Sequence, residues 1–185
     1  MADNLHFRET GTDDIPALHR LIESAYRGDS AKRGWTHEAD LLDGQRTDQG
    51  ALTAIVEDPA QVILAATDGD AIIGCVQLSR VDQRLAYLGM LTVDPDIQST
   101  GLGKKLLEKS EAYCRENWNA QAIEMTVIRQ RSELIAYYER RGYCRTGERR
   151  PFPHGDARFG KPRTPDLEFI VLRKDNQAAL PSSAF

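Results

Sequence analysis

The run from Val93 to Leu107 limits what this chain can fold into more than any other stretch. Val93 closes a strand-like segment, Asp94 Pro95 Asp96 Ile97 turns the chain, and Leu102, Leu106 and Leu107 recur at helical spacing behind Gly101 and Gly103. A helix that starts this way leaves up to four backbone N–H groups without intrahelical partners, with about half a unit of positive charge beside them. An anion fits there. Glycine at 101 and 103 removes the Cβ atoms that would hold a pyrophosphate away from the backbone. Two familiar phosphate motifs fail at fixed positions. A dinucleotide fingerprint needs Gly or Ala at Leu106, and a P-loop needs Gly at Gln98 and Ser or Thr at Lys105. What remains is Gln98, two residues, Gly101, one residue, Gly103, with Val93 five residues ahead.

A second motif, Ala136 Tyr137 Tyr138 Glu139 Arg140 Arg141 Gly142 Tyr143, follows downstream, and the strand-like alternation from Gln121 to Val127 lies between the two. In order and spacing these pieces resemble the GNAT superfamily of N-acetyltransferases: the acetyl-CoA pyrophosphate loop, the fifth strand, and the helix with its tyrosine. The resemblance covers about residues 5–173 and is strongest over 85–147.

Bulk properties agree with such a protein. A chain of 185 residues suits one well-buried core, with the domain over 1–174 and a flexible tail over 175–185. No apolar run of membrane-spanning length occurs, and Met1 to His6 lacks the regions of a signal peptide, so a cytoplasmic location and no membrane contact are expected. Cys75, Cys114 and Cys144 show no Cys-x-x-Cys spacing, which argues against disulfides and structural zinc. The net charge of −4 argues against nucleic acid as a partner. Its distribution is uneven. Thr36 to Asp58 holds six acidic residues and a single basic one, Arg46, whereas Arg140 to Arg163 holds eight basic residues.

Along the chain, Leu5 to Arg8 reads as an edge strand, and Ile15, Leu18, Leu21, Ile22 and Ala25 mark a first helix with Pro16 in its first turn. Thr36, Glu38, Leu41 and Leu42 suggest a short second helix. Val62 to Ala66 and Ala71 to Leu78 read as a hairpin turned by Asp68 Gly69 Asp70, and Leu85 to Val93 as a further strand. A helix is expected from about Gly101 to Glu116, with Leu102, Leu106, Lys109 and Tyr113 on one stripe. Another is expected from Arg131 or Ser132 to Arg140, ended by Gly142. Tyr143 to Thr146 and Leu167 to Leu172 are the last strands. Gly147 to Asp166, with four prolines, reads as a long loop.

The resemblance implies an α/β (α+β) fold with a central mixed, mostly antiparallel sheet of six to seven strands and about four flanking helices. Its strands 4 and 5, over 85–93 and 121–127, splay apart. Acetyl-CoA would enter that gap, with Leu91 and Val93 bonding its pantetheine arm near Thr92, and with Gln98, Ser99, Thr100, Gly101, Leu102, Gly103 and Lys104 on the pyrophosphate. Tyr138 matches the family tyrosine that protonates the leaving thiolate; Tyr137 is its neighbour and rival. Where many members carry an Asn that bonds the pantetheine after the fifth strand, this chain has Gln130 and Arg131, either of which is a candidate to replace it, and Arg131 is alternatively a candidate for the 3′-phosphate or pyrophosphate.

Acetyl transfer to an amine needs a neutral nucleophile and a stabilised oxyanion, without a covalent intermediate or a metal. No carboxylate occurs in Leu85 to Val93, where the family often keeps a base. Glu38, His37, Glu124 and His154 are then the base candidates, beside a water chain. Tyr26, Trp35, Glu38, Arg149, Phe152, His154 and Phe159 are candidates for the acceptor side, and Arg149, Arg150, Arg158 and Lys161 suggest an acceptor carrying a carboxylate or phosphate. The expected function is transfer of acetyl from acetyl-CoA to a primary amine of a small molecule, amino-acid-like in character, within a ternary complex. The alternatives are a protein or peptide acceptor and a non-catalytic acyl-CoA sensor. Dimers are frequent in the superfamily, so a homodimer is an open expectation.

Overall fold

Apolar runs without polar alternation demand a sheet covered on both faces, and the chain builds one. The computed structural model describes residues 5–27, 31–34, 38–156 and 160–176. Among them seven strands form the main sheet: β1 Leu5–Glu9, β2 Gln61–Asp68, β3 Ala71–Arg80, β4 Leu85–Val93, β5 Ala122–Ile128, β6 Cys144–Pro151 and β7 Glu168–Asp175. Their spatial order is β1-β2-β3-β4-β5-β7-β6, and only β4 and β5 pair in parallel. Four helices lying wholly within the described residues flank the sheet: α1 Ile15–Tyr26, α2 Gln49–Glu57, α3 Leu102–Trp118 and α4 Ser132–Glu139. No helix of the described residues is long and apolar enough to cross a membrane.

Strand alternation feeds two cores. Val62, Leu64 and Ala66 pack with α3 and α4, while Ile63 packs with α1 and Leu52 of α2 on the opposite face. On α3 the fully buried stripe is Leu102, Leu106, Leu107, Ser110 and Cys114; Lys109 and Tyr113 lie beside it, and Lys109 is exposed. Gly74 on β3 lets α3 sit close, because a Cβ there would meet Leu106 Cδ1 at 2.8 Å and the Thr92 carbonyl at 3.1 Å. This seats the helix whose N-terminus forms the cradle. Gly142, at φ +90°, ends α4 as expected. Cys75 and Cys114 are buried and Cys144 is exposed, all three as free thiols.

Several expectations need correction. The short helix expected from Thr36 to Leu42 is not formed in its described part: Ala39 to Leu41 is a turn, and Leu42–Asp43 is a two-residue strand pairing with Lys161–Pro162. Leu42 is buried with Ile128, Phe152 and Leu167, so its apolar character serves a small satellite core. Helix α2 went unpredicted, although Asp48 caps it by accepting from the Ala51 amide at 2.8 Å. The loop expected from Gly147 to Asp166 begins later, because β6 continues through a bulge to Pro151. Gly147, at φ +84°, turns that bulge. At the C-terminus β7 runs to Asp175, and the buried Asn176 donates its amide to Gln121 at 2.7 Å. Residues 177–185, the remainder of the expected tail, lie outside the described residues, as do Trp35, Thr36, His37, Arg158 and Phe159.

Candidate active site

The site begins where β4 and β5 separate. They pair only from Leu85–Tyr87 to Ala122–Glu124, and the last link between them is a side-chain bond, Tyr87 hydroxyl to Thr126 hydroxyl at 2.7 Å. Beyond that point β4 carries a bulge: Met90 and Leu91 stand opposite Val76 of β3, and Met90 adopts φ +47°. A bulge sharpens local twist and turns the strand away from its neighbour. Since the Asp94 amide donates to Ile73 of β3 at 3.0 Å, strand alternation directs the backbone groups of Val93 and Leu91 into the gap. Their carbonyls already have partners. Tyr26 donates its hydroxyl to Leu91 at 2.7 Å, and Gln98 Nε2 donates to Val93 at 3.3 Å. The arrangement leaves the amides facing the opening. Thr92 points elsewhere, buried and bonded to the Met90 carbonyl at 2.8 Å.

Below the gap, the turn from Gln98 to Lys104 makes the wall of a cavity of about 260 Å³ lined by Leu91, Val93, Gln98, Ser99, Gly101, Leu102, Gly103, Lys104, Tyr137, Tyr138 and Arg141, among others. The first α3 amide bonded to a backbone carbonyl is Lys105, which donates to Gly101 at 3.1 Å. The four before it, Gly101 to Lys104, are the unsatisfied donors of a helix start. Gly101 lies at φ +87°, and a Cβ on it would project into open space. Gly103 is walled by the Tyr137 hydroxyl, 3.0 Å from where its Cβ would be. These residues fit a pyrophosphate held by backbone donors. Thr100 is exposed and does not line the cavity, and Lys104 pairs with Glu108 at 3.7 Å along the helix.

A second cavity of about 410 Å³ opens on the other side of the gap, between β4, β5 and the α1–α2 segment. The two share Tyr26, Leu91, Arg131, Leu134 and Tyr138. Tyr138 thus stands at their junction. Among the described residues no hydrogen bond engages its hydroxyl, and burial among Tyr26, Tyr137 and Tyr143 pushes the phenol above its usual range. It stays neutral and available as a donor. Tyr137 lines the first cavity only, and Arg141 stacks on its ring at 3.4 Å.

Glu38 organises the second cavity. Burial disfavours its charge, but Arg46, Arg131 and Arg27 together outweigh that and hold its carboxyl below the usual value of 4.5. Arg27 Nη1 donates to it at 2.7 Å and Arg131 Nη1 at 3.3 Å, while Arg46 Nε stands at 3.9 Å. A carboxylate held this way is a weak base; it anchors Arg131, which lines both cavities. Because the folded pKa is lowered, Glu38 stabilises the fold fully above about pH 4.5, and that contribution is lost as the pH falls through the lower folded value. Glu38→Gln is expected to cost about 3 kcal/mol at pH 7, on the scale of breaking a buried ion pair. In urea melts the gap to wild type should narrow as the pH drops below 4.5, and a gap independent of pH would contradict this account.

The other candidates lie apart. Glu124 is buried on β5 between Arg150 and Arg173, each at 2.7 Å. Arg149 pairs with Glu168 at 2.8 Å on the exposed β6 edge. Phe152 packs between His154 and Phe169 in the satellite core, and neither Arg149, Phe152 nor His154 lines the second cavity. Arg46, Asp48, Gln77, Tyr87 and Thr126, none of them part of a sequence motif, do line it. Only the isolation of Arg46 in an acidic stretch was a signal.

Comparisons with known proteins agree on the fold. The model of the acetyltransferase (GNAT) family matches residues 16–143. An uncharacterized protein, YxbD of Bacillus subtilis (strain 168), is 35% identical over 54 residues, a match spanning 29% of this chain and about a third of that relative's length. The ribosomal-protein-S18-alanine N-acetyltransferase of Escherichia coli superposes with a TM-score of 0.69 at 16% identity, covering 98% of this chain and 99% of its own. The spermidine/spermine N-acetyltransferase SpeG of Vibrio cholerae gives 0.66 at 14% identity, covering 94% of both chains.

Proposed function

Because the chain belongs to the GNAT acetyltransferase family, we propose that it moves an acetyl group from acetyl-CoA to the primary amine of a small molecule, with donor and acceptor bound together. The observation that carries this reading is the meeting of the two cavities at Tyr138 and Leu91. One has an anion cradle, the other a closed set of polar side chains, and both open onto the same backbone. Bound acetyl-CoA supplies an activated thioester.

The chain supplies the rest. Amides of Gly101 to Lys104 hold the pyrophosphate, and the Leu91 and Val93 amides hold and polarise what lies in the gap. Tyr138 donates a hydrogen bond, and in the transition state a proton, toward the sulfur leaving group. Glu38 and Asp48 are both engaged by partners, so among the described residues no uncommitted carboxylate lines the acceptor cavity. The amine's proton then leaves through water. Since the donor is a cytoplasmic metabolite, the reading carries a cytoplasmic location with it.

Free-thiol release from acetyl-CoA over a panel of primary amines tests this directly. Release that depends on the amine, with an N-acetyl product of the matching mass, is the expected result. Release with peptides alone would favour the polypeptide acceptor named for the E. coli neighbour, and no release beside tight acetyl-CoA binding would favour a sensor.

A further inference from the structure

Of the three arginines around Glu38, one makes no hydrogen bond to it. Glu38 is bonded by Arg27 and Arg131, and Asp48 is committed to the α2 N-terminus and to Gln45 Nε2 at 3.4 Å. Arg46 is different. Its Nε reaches Glu38 only at 3.9 Å, its guanidinium carbon lies 5.2 Å from the Tyr26 ring centroid, and its side chain is 24% exposed. No hydrogen bond to a described residue occupies its N–H fork. A guanidinium on a mostly buried side chain, its planar set of donors bonded to no described residue and open to the cavity, matches a carboxylate.

We propose that Arg46 binds a carboxylate of the acceptor, so that the substrate class is amines bearing a carboxylate a few bonds away, such as free amino acids. This rests on the reading of the chain as a small-molecule acetyltransferase. The spacing suits it: Arg46 sits over one face of the Tyr26 ring, and the hydroxyl of that ring touches Leu91, where the amine must arrive. Arg46 is thus one tyrosine ring from the reacting end. A polyamine would instead bring a second cation toward Arg46 and Arg131. Of the basic residues that suggest an anionic acceptor from sequence, Arg149 and Arg150 are paired with Glu168 and Glu124, and Arg158 lies outside the described residues; the proposed anion site is the one basic residue of 36–58.

The test compares amino acids with their decarboxylated counterparts, phenylalanine with phenethylamine and lysine with cadaverine, in wild type, Arg46→Gln and Arg46→Lys. Thiol release and calorimetric binding to the CoA-loaded protein are both read, with CoA affinity confirming that each variant is folded. Wild type should prefer the carboxylated partner in kcat/KM by about 30-fold or more, on the scale of one desolvated charge pair. In Arg46→Gln that ratio should fall close to unity, and Arg46→Lys, which keeps charge without the fork, should lie between. Thiol release indifferent to the carboxylate in wild type, or a preference that survives Arg46→Gln, overturns the Arg46 site and leaves acetyl transfer standing. Carboxylate-dependent binding that Arg46→Gln abolishes, with no thiol released, supports the site and overturns the transfer reading.

Discussion

Tyr138→Phe is expected to lower kcat by about 10²-fold, within the usual range for losing a positioned proton donor, while acetyl-CoA affinity changes by less than about threefold. The split follows from geometry. The proposed pyrophosphate and pantetheine contacts use backbone groups of α3 and β4, which Phe leaves in place, and the ring keeps its edge contacts with Tyr137 and Tyr143 at 5.4 and 5.9 Å. Only the hydroxyl at the junction goes. Because burial raises this phenol above its usual range, it stays protonated across the working pH, so the loss should be nearly constant from pH 6 to 9. Tyr137→Phe should have a much smaller effect on kcat. An unchanged rate in Tyr138→Phe would reject the donor role.

Gly101→Glu is expected to weaken acetyl-CoA binding by about 10²-fold or more. At φ +87° any side chain incurs roughly 1–2 kcal/mol of strain, which the free turn relaxes by shifting and pyrophosphate binding must restore, and each 1.4 kcal/mol so restored is tenfold in affinity. The carboxylate adds repulsion beside the pyrophosphate. Gly101→Ala separates the two causes, because it carries the strain without the charge; a loss near tenfold is expected for it. Since a Cβ at 101 meets nothing within 4 Å, both variants should fold. Wild-type affinity in Gly101→Glu would place the donor elsewhere.

The turn before α3 and the end of α4 are legible in sequence because their backbone demands leave marks. Gly101 and Gly142 sit at left-handed φ, and β4 ends at Val93 where the turn residues begin. The acceptor side is not, since Arg131 and Glu38 meet across 93 positions and Tyr26 reaches Leu91 across 65. Such contacts have no local signature. The prolines of 147–166 suggested a loop, yet an edge strand such as β6 tolerates Pro151 at its end. Arg149 and Arg150 read as an anion site because their partners Glu168 and Glu124 lie on other strands, although Arg150 also pairs with Glu148 two residues before it. Helix α2 was within reach: Asp48, Leu52, Ile55 and Val56 form a cap followed by an apolar stripe.

On the proposed reading, donor and acceptor occupy the two cavities at once and meet beside Tyr138. Initial rates of thiol release, with acetyl-CoA and an accepted amine both varied, test it most directly. Intersecting reciprocal plots are expected, with no thiol released before the amine is added. Parallel plots, or an acetylated protein isolated in the absence of amine, would contradict it.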